Sequence, residues 1–276
     1  MGRRRLFCDI SPTTYRLSVL KGILLRDLQD VVRAQRFADT RTEALLPVLV
    51  YRNSSLMRRV LGNVDPVLQE NKVTNLRLSA PRVTNVLIRP GETFSFWKLA
   101  GRCTEREGYK KGLVISSGRL SEGIGGGLCQ FTNLIHFLTL HSPMEIVEHH
   151  HHDEMDLFPD FGRQIPFGTG TSITYNYLDY RFKNTTDTTF QLIAFVTDRY
   201  LCGELRADKP LAVRYHIRTE DECFSREGDV VYRNGLVFRE QIDAKTGNLL
   251  RRELIKKNHA RVMYDVDDDR ILRNAR

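Results

Sequence analysis

The run GGGLCQFTNLIHF, Gly125 to Phe137, sets three glycines directly before a cysteine and an apolar segment with helical spacing. Glycine tolerates backbone conformations closed to other residues and keeps bulk away from whatever approaches it. A helix starting near Leu128 puts Cys129 in its first turn, where unpaired N–H groups and the helix dipole favour a thiolate. On that helix Cys129, Thr132, Asn133 and His136 share one stripe, while Leu128, Phe131, Leu134, Ile135 and Leu138 fill the buried remainder. His136 lies two helical turns beyond Cys129, roughly 10 Å along the axis. A general base must stand within hydrogen-bonding reach, so any partner for Cys129 has to come from another element. A free cysteine is also a common small core residue.

The stretch MEIVEHHHHDE, Met144 to Glu154, begins like a strand. Extended through the tract, it places Glu148, His150 and His152 on one face and His149 and His151 on the other. Only one of these sets can face a given cavity. Taken alone, a polyhistidine tract reads as a solvated, weakly metal-binding loop.

With 276 residues the chain can bury one large core or two modest ones. A formal net charge of +8 suggests an anionic neighbour. Nucleic acid is not expected, because the basic residues are scattered and no recognition motif accompanies them. Cysteines at 8, 103, 129, 202 and 223 form no CxxC pair, which fits free thiols in a reducing compartment. The N-terminus lacks a secretory cleavage pattern, and no run approaches the roughly 18 apolar residues of a spanning helix. A cytoplasmic location follows as the expectation, with peripheral membrane attachment as an option.

Leu17, Leu20, Leu24, Leu28 and Val31 recur at helical spacing among Arg16, Lys21, Arg26, Arg33 and Arg36. Such a basic amphipathic helix either packs on its own protein or lies on an anionic membrane. A second helical piece is expected over 41–61, ending at GNVDP. From about Asn71 β-prone runs follow, broken by the turn dipeptide Pro90-Gly91. SITYNYLDYRFKNTT and TFQLIAFVTDRYLCGEL read as successive strands. DVVYRNGLVFRE reads as a hairpin with Asn234-Gly235 in a type I′ turn, and DAKTGN as a further turn. The fold class is α+β: a helical N-terminal segment over 1–68, a mixed α/β core over 69–210, and a small antiparallel β region over 211–276.

PGETFSFWKLAG, GGGLCQ and the Glu148-to-His152 segment, in that order, resemble the VanW family, and QENKVTNLRLSA and LDYRFKN look like further blocks of it. The resemblance covers about residues 69 to 205. It places the family's cysteine motif on Gly126, Gly127, Cys129 and Gln130. The family's histidine segment falls on Glu148, His150 and His152, with His149 where the family has arginine. Pro90, Gly91, Phe94 and Ser95 match another block, and Asp179 matches the strand aspartate. Gly170 stands where many members carry aspartate, so no role transfers to it. The resemblance implies vancomycin-type glycopeptide resistance or cell-wall peptidoglycan biology for a VanW-like core.

Three readings follow. In the first, the chain is a cysteine-dependent hydrolase or acyltransferase, with the order Cys, His, acid resembling transglutaminase-like enzymes. Cys129 is then the nucleophile, His150 or His152 its base, and Asp179 or Glu148 the group that orients the imidazole. Gln130 or N–H groups near Gly126 and Gly127 would stabilise an oxyanion. The substrate would be an amide or ester in a cell-wall precursor or peptidoglycan fragment, with no cofactor. In the second, Cys129, His150 and His152 hold zinc with one open position. In the third, the chain is a non-catalytic accessory protein. The anionic membrane, met through the basic N-terminal helix, is the remaining expected partner.

Overall fold

The structure, a computed structural model, describes residues 7–59, 65–116, 119–151, 155–157, 159 and 165–272. It is an α+β arrangement of four α-helices and several largely antiparallel sheets among those residues.

Helix α1, Pro12–Val32, starts at a capping box. Ser11 Oγ accepts from the Thr14 N–H at 3.2 Å, and Thr14 Oγ1 accepts from the Ser11 N–H at 2.9 Å. No residue of α1 is buried. The leucine stripe points outward: Leu20, Leu24 and Val31 are 55%, 69% and 76% exposed. The polar face is what seats the helix, through Arg26 on Glu148, Asp27 on Lys98 and Asp30 on Arg181. Packing of the stripe on the protein itself therefore does not occur. No helix among the described residues is long and apolar enough to cross a membrane.

The piece expected to be helical over 41–61 instead contains strand β1, Val48–Leu56. Its Val-Leu-Val-Tyr start suits a pleated surface, and pairing decides the outcome. It lies antiparallel to a later strand, with Val48 opposite Ala207 and Ser54 opposite Cys202. Helix α2, Pro66–Val83, follows; the Asp65 carboxylate accepts from the Val67 N–H at 2.8 Å as its N-cap. Val73, Leu76, Ala80 and Val83 form its buried side. The strand character expected from about Asn71 thus begins only at β2, Val86–Ile88.

After the Pro90-Gly91 turn come β3, Thr93–Ser95, and the short α3, Phe96–Ala100. The hairpin β4, Lys111–Ser116, and β5, Arg119–Ile124, leads into α4, Cys129–Leu140. Then follow β6, Glu145–Glu148, β7, Met155–Asp156, β8, Arg181–Lys183, β9, Phe190–Val196, and β10, Tyr200–Ala207. The central sheet runs β1-β10-β9-β2, and a smaller one runs β3-β8-β6. Leu128, Phe131, Leu134, Ile135 and Leu138 are buried as their spacing predicts. Gly203 of β10 lets α4 approach the sheet closely, since a Cβ there would meet Leu134 and Leu138.

The C-terminal region is an antiparallel meander of β11, Val213–Glu227, β12, Val230–Asp243, and β13, Leu249–Val262, with β14, Ile271–Leu272, parallel on the β11 edge. The expected turn at Asn234-Gly235 does not form. Asn234 lies inside β12, opposite Cys223 on one side and His259 on the other. Ladder bonds on both edges outweigh a local turn preference. The chain turns instead at Gly228, whose φ of +59° suits glycine. The DAKTGN turn forms as expected: the Asp243 carboxylate accepts from the N–H groups of Lys245 and Thr246 at 3.0 and 2.7 Å.

Candidate functional site

The glycine run is a structural clamp. Gly125 and Gly127 have φ of +75° and +91°, which side chains disfavour. Gly126 is fixed by space, because a Cβ would strike the backbone of Gly112 in β4. A Cβ on Gly127 would strike the stem of Lys72 from α2. Gly126 N–H donates to Gly123 C=O at 3.0 Å, and Gly127 N–H to Leu113 C=O at 2.9 Å. Gln130 Nε2 donates to Ser55 Oγ and Leu56 C=O, each at 2.8 Å. All these donors are engaged, so the oxyanion role expected of Gly126, Gly127 and Gln130 has no free N–H to use. They hold the start of α4 against β1 and β4 instead.

Cys129 opens α4 and is half-buried. Burial pushes its thiol above the ordinary value, although the N–H of Ile173 points to the sulfur and opposes the shift. The thiolate expected at a helix start is therefore disfavoured: desolvation outweighs the helix end. The polar stripe of α4 is covered by the segment around Thr171. Asn133 Oδ1 accepts from the Thr171 N–H at 2.6 Å and its hydroxyl at 2.9 Å, and Thr132 and Thr171 share a hydroxyl hydrogen bond.

The histidines separate into two environments. His150 Nε2 donates to Glu148 Oε1 at 2.9 Å. Glu148 also accepts from Arg26 and from the Asp179 N–H at 2.8 Å. Burial raises the Glu148 carboxyl, but the bonds from His150, Arg26 and Asp179 prevail and leave it at about 2. Asp179 itself is fully buried and accepts from Ser95 Oγ, the N–H groups of Trp97 and Tyr180, and Arg181 Nε. Burial pushes its carboxyl up while Arg181 and Ser95 pull it down, with burial prevailing. No histidine is among these partners, so Asp179 braces α3 and β8 rather than an imidazole. Glu148 and His150 belong to the seat of α1.

The other face continues inward. His149 donates from Nε2 to Gly170 C=O at 3.1 Å and lies between the rings of His136 and His151, at 4.0 and 3.8 Å. His136 is in the core, sharing a 3.1 Å hydrogen bond with Tyr180. Burial, then the charges of His149, His151 and Arg239, hold His136 well below the ordinary imidazole value. His152 lies outside the described residues.

A cavity of about 280 Å³ opens where α2, α4 and the C-terminal sheet meet. Cys129 and His151 both line it, with Lys72, Arg59, Asn133, Thr171, Asp156 and Asn258 as further polar wall. Leu68, Leu113, Ile165 and Phe167 supply apolar surface. The cavity thus joins Cys129 to His151, whereas His150 faces Glu148. Among the described residues no group of three or more His, Cys, Asp or Glu stands close enough to hold a metal ion. Of the expected zinc set Cys129, His150 and His152, the last lies outside the described residues, and His150 is bonded to Glu148.

A family model described as VanW like protein matches residues 71–206. Vancomycin B-type resistance protein VanW of Enterococcus faecalis (strain ATCC 700802 / V583) is 32% identical over 232 residues, which is 84% of each chain. The chain belongs to the VanW family. Uncharacterized protein YoaR of Bacillus subtilis (strain 168) is 29% identical over 153 residues, 55% of this chain and 44% of that protein. No solved structure matches.

In this VanW-family fold the distant blocks meet. Ser95 of the Pro-Gly block bonds Asp179 of the later strand block, and Phe94 stacks on Phe182 at 4.6 Å. Lys72 went unrecognised in the sequence because a lone lysine on a helix ordinarily reads as solvated. Here it is 9% exposed, and its Nζ donates to Gln69 Oε1 at 2.7 Å. Burial, then the charges of Arg59 and Arg58, bring its amine down to about 7. Nor did sequence patterning assign the C-terminal sheet a part in the site, yet Asn258 of β13 lines the cavity.

Proposed function

We propose that this chain serves vancomycin-type glycopeptide resistance by acyl chemistry at Cys129, on an amide or ester of a cell-wall peptide or precursor. The observation that carries the reading is that Cys129, at the start of α4, lines one cavity with His151. In the reaction, Sγ attacks the carbonyl carbon while its proton passes to the His151 imidazole. The imidazole returns that proton to the departing amine or alkoxide, leaving a thioester on Cys129. Water completes hydrolysis, or an amine completes transfer, and the thiol re-forms. A thiol raised by burial needs such a base at the moment of attack. The N–H groups of Cys129 and Ile173, both directed at the sulfur, are the candidate oxyanion donors.

The test compares Cys129→Ala, His151→Ala and His150→Ala for the minimum inhibitory concentration of vancomycin in cells whose resistance depends on this chain. Circular dichroism checks folding in each. The reading expects equal loss of resistance for the first two with folding intact, and a stability defect for the third. Full resistance with Cys129→Ala would overturn it. That result would support a non-catalytic binding role, which the raised thiol favours.

A further inference from the structure

We propose that Lys72 is the anchor for a ligand carboxylate in the Cys129 cavity, specifically the free C-terminal carboxylate of a peptide. The proposal rests on the acyl-transfer reading and names the part of the substrate that sets its orientation. Lys72 projects from α2 into the cavity wall with 9% exposure. An ammonium has three donors, and among the described residues its one hydrogen-bond partner is the neutral amide of Gln69. The charged groups acting on it, Arg59 and Arg58, are cations. Asp156, the carboxylate that also lines the cavity, is bonded to Arg233 at 3.3 Å and to Tyr264 at 2.8 Å.

A buried ammonium with no counter-ion among the described residues is costly, and an uncharged residue of equal length would fill the same space without that cost. The arrangement gains from an arriving anion. Leu68, Leu113 and Phe167 around it favour an organic acid over an inorganic ion. The Lys72 stem lies against Gly127, two positions before Cys129, so a carboxylate held there is registered against the thiol.

The closing experiment alkylates Cys129 with anionic iodoacetate and neutral iodoacetamide, in wild type, Lys72→Met and Lys72→Gln. Modification at Cys129 is read by peptide mass spectrometry. Loss of one charge-assisted contact should slow iodoacetate roughly tenfold and leave iodoacetamide within about twofold. An unchanged rate ratio in both variants overturns the Lys72 assignment while leaving Cys129 reactive. Failure of both reagents at every pH overturns the acyl-transfer reading instead. Lys72 is then read directly by the thermal midpoint with diacetyl-L-Lys-D-Ala-D-Ala and its C-terminal amide. Stabilisation of wild type by the acid alone, lost in Lys72→Met, upholds the anchor. Equal response to acid and amide overturns it.

The outward face of α1 carries a second inference independently. Of its acidic residues, Asp30 is turned inward onto Arg181 and the half-exposed Asp27 is paired with Lys98, while Arg16 and Lys21 are exposed beside the leucine stripe. The charged residues of the helix that stand fully exposed, Arg16 and Lys21, are both basic. We infer that this face lies on an anionic membrane surface, with Leu17, Leu20, Leu24 and Leu28 in the acyl boundary. Vesicles of phosphatidylglycerol and phosphatidylcholine in equal parts should co-sediment the chain, with binding weakened by salt; pure phosphatidylcholine should retain much less. Leu20→Asp with Leu24→Asp should abolish binding without unfolding, because neither side chain is buried. Equal binding by that variant, or a soluble dimer that loses its contact in the variant and ignores vesicles, would overturn the inference.

Discussion

Arg26 of α1 forks onto Glu148 at the end of β6, across 122 positions of sequence, with N–O distances of 2.5 and 2.8 Å. Both side chains are largely buried, at 16% and 17% exposure. Glu148 simultaneously holds His150 and the Asp179 N–H, so one carboxylate ties the N-terminal helix to the histidine segment.

Glu148→Ala leaves Arg26 without its acceptor and should cost about 3 kcal/mol, in the range for breaking a buried pair. Urea unfolding measures this. The pair also fixes a pH window. The folded carboxyl at about 2 lies below its ordinary 4.5. Its contribution is therefore complete above about pH 4.5 and is lost as pH falls toward 2. Glu148→Gln should flatten the stability profile across that window, and an unchanged profile would contradict the assignment.

The glycines predict graded damage. Gly127→Ala meets a positive φ and the root of the buried Lys72 side chain, which yields only by changing rotamer, so a loss of at least about 1–2 kcal/mol is expected. Gly126→Ala meets the Gly112 backbone, which cannot yield locally, and should be the more damaging. Thermal midpoints of the two variants give the order directly; the reverse order would contradict the clamp.

How much of this was legible follows from where the deciding contacts lie. The buried side of α4 was readable because a 3.6-residue period needs no knowledge of the partner. β1 and the straight path of β12 through Asn234-Gly235 were not, since strands bonded on one or both edges override local preference. The histidine parity depended on a regular strand, but the β6 ladder shifts register between Ile146 and Glu148, and the strand stops at Glu148. A face count begun before that point does not carry through the tract. The family blocks located Cys129 and the histidine segment, with His150 or His152 as the expected partner; that His151 lines the Cys129 cavity while His150 bonds Glu148 is a tertiary fact.

Two further buried histidines set the acid limit of the fold. His141 stacks on Tyr51 at 3.5 Å and donates to Phe137 C=O at 2.8 Å. Burial brings it down to about 4, against the opposing bond to Phe137, and His136 is likewise lowered by burial. Both take up a proton more readily when unfolded, so stability is full above about pH 6.5 and declines below it. Each contributes roughly 1.4 kcal/mol per pH unit while it titrates only in the unfolded chain. His141→Gln should reduce the slope between pH 6.5 and 4 by about one proton. Melting at closely spaced pH values checks this, and an identical slope would contradict it.

Cys129 should alkylate slowly at neutral pH and continue to accelerate beyond pH 9, because burial raises its thiol above the ordinary 9.0. Rates with iodoacetamide from pH 7 to 10.5 measure the profile. A plateau reached below pH 9 would contradict the desolvated setting described for the start of α4.

The most direct measurement is intact-protein mass spectrometry of the chain after brief mixing with a cell-wall stem peptide and acid quench, with fragmentation to locate any adduct. The account predicts an acyl group on Cys129, removed by hydroxylamine as a thioester, absent in Cys129→Ala and strongly diminished in His151→Ala. Peptide cleavage or transfer that persists in Cys129→Ala would contradict it.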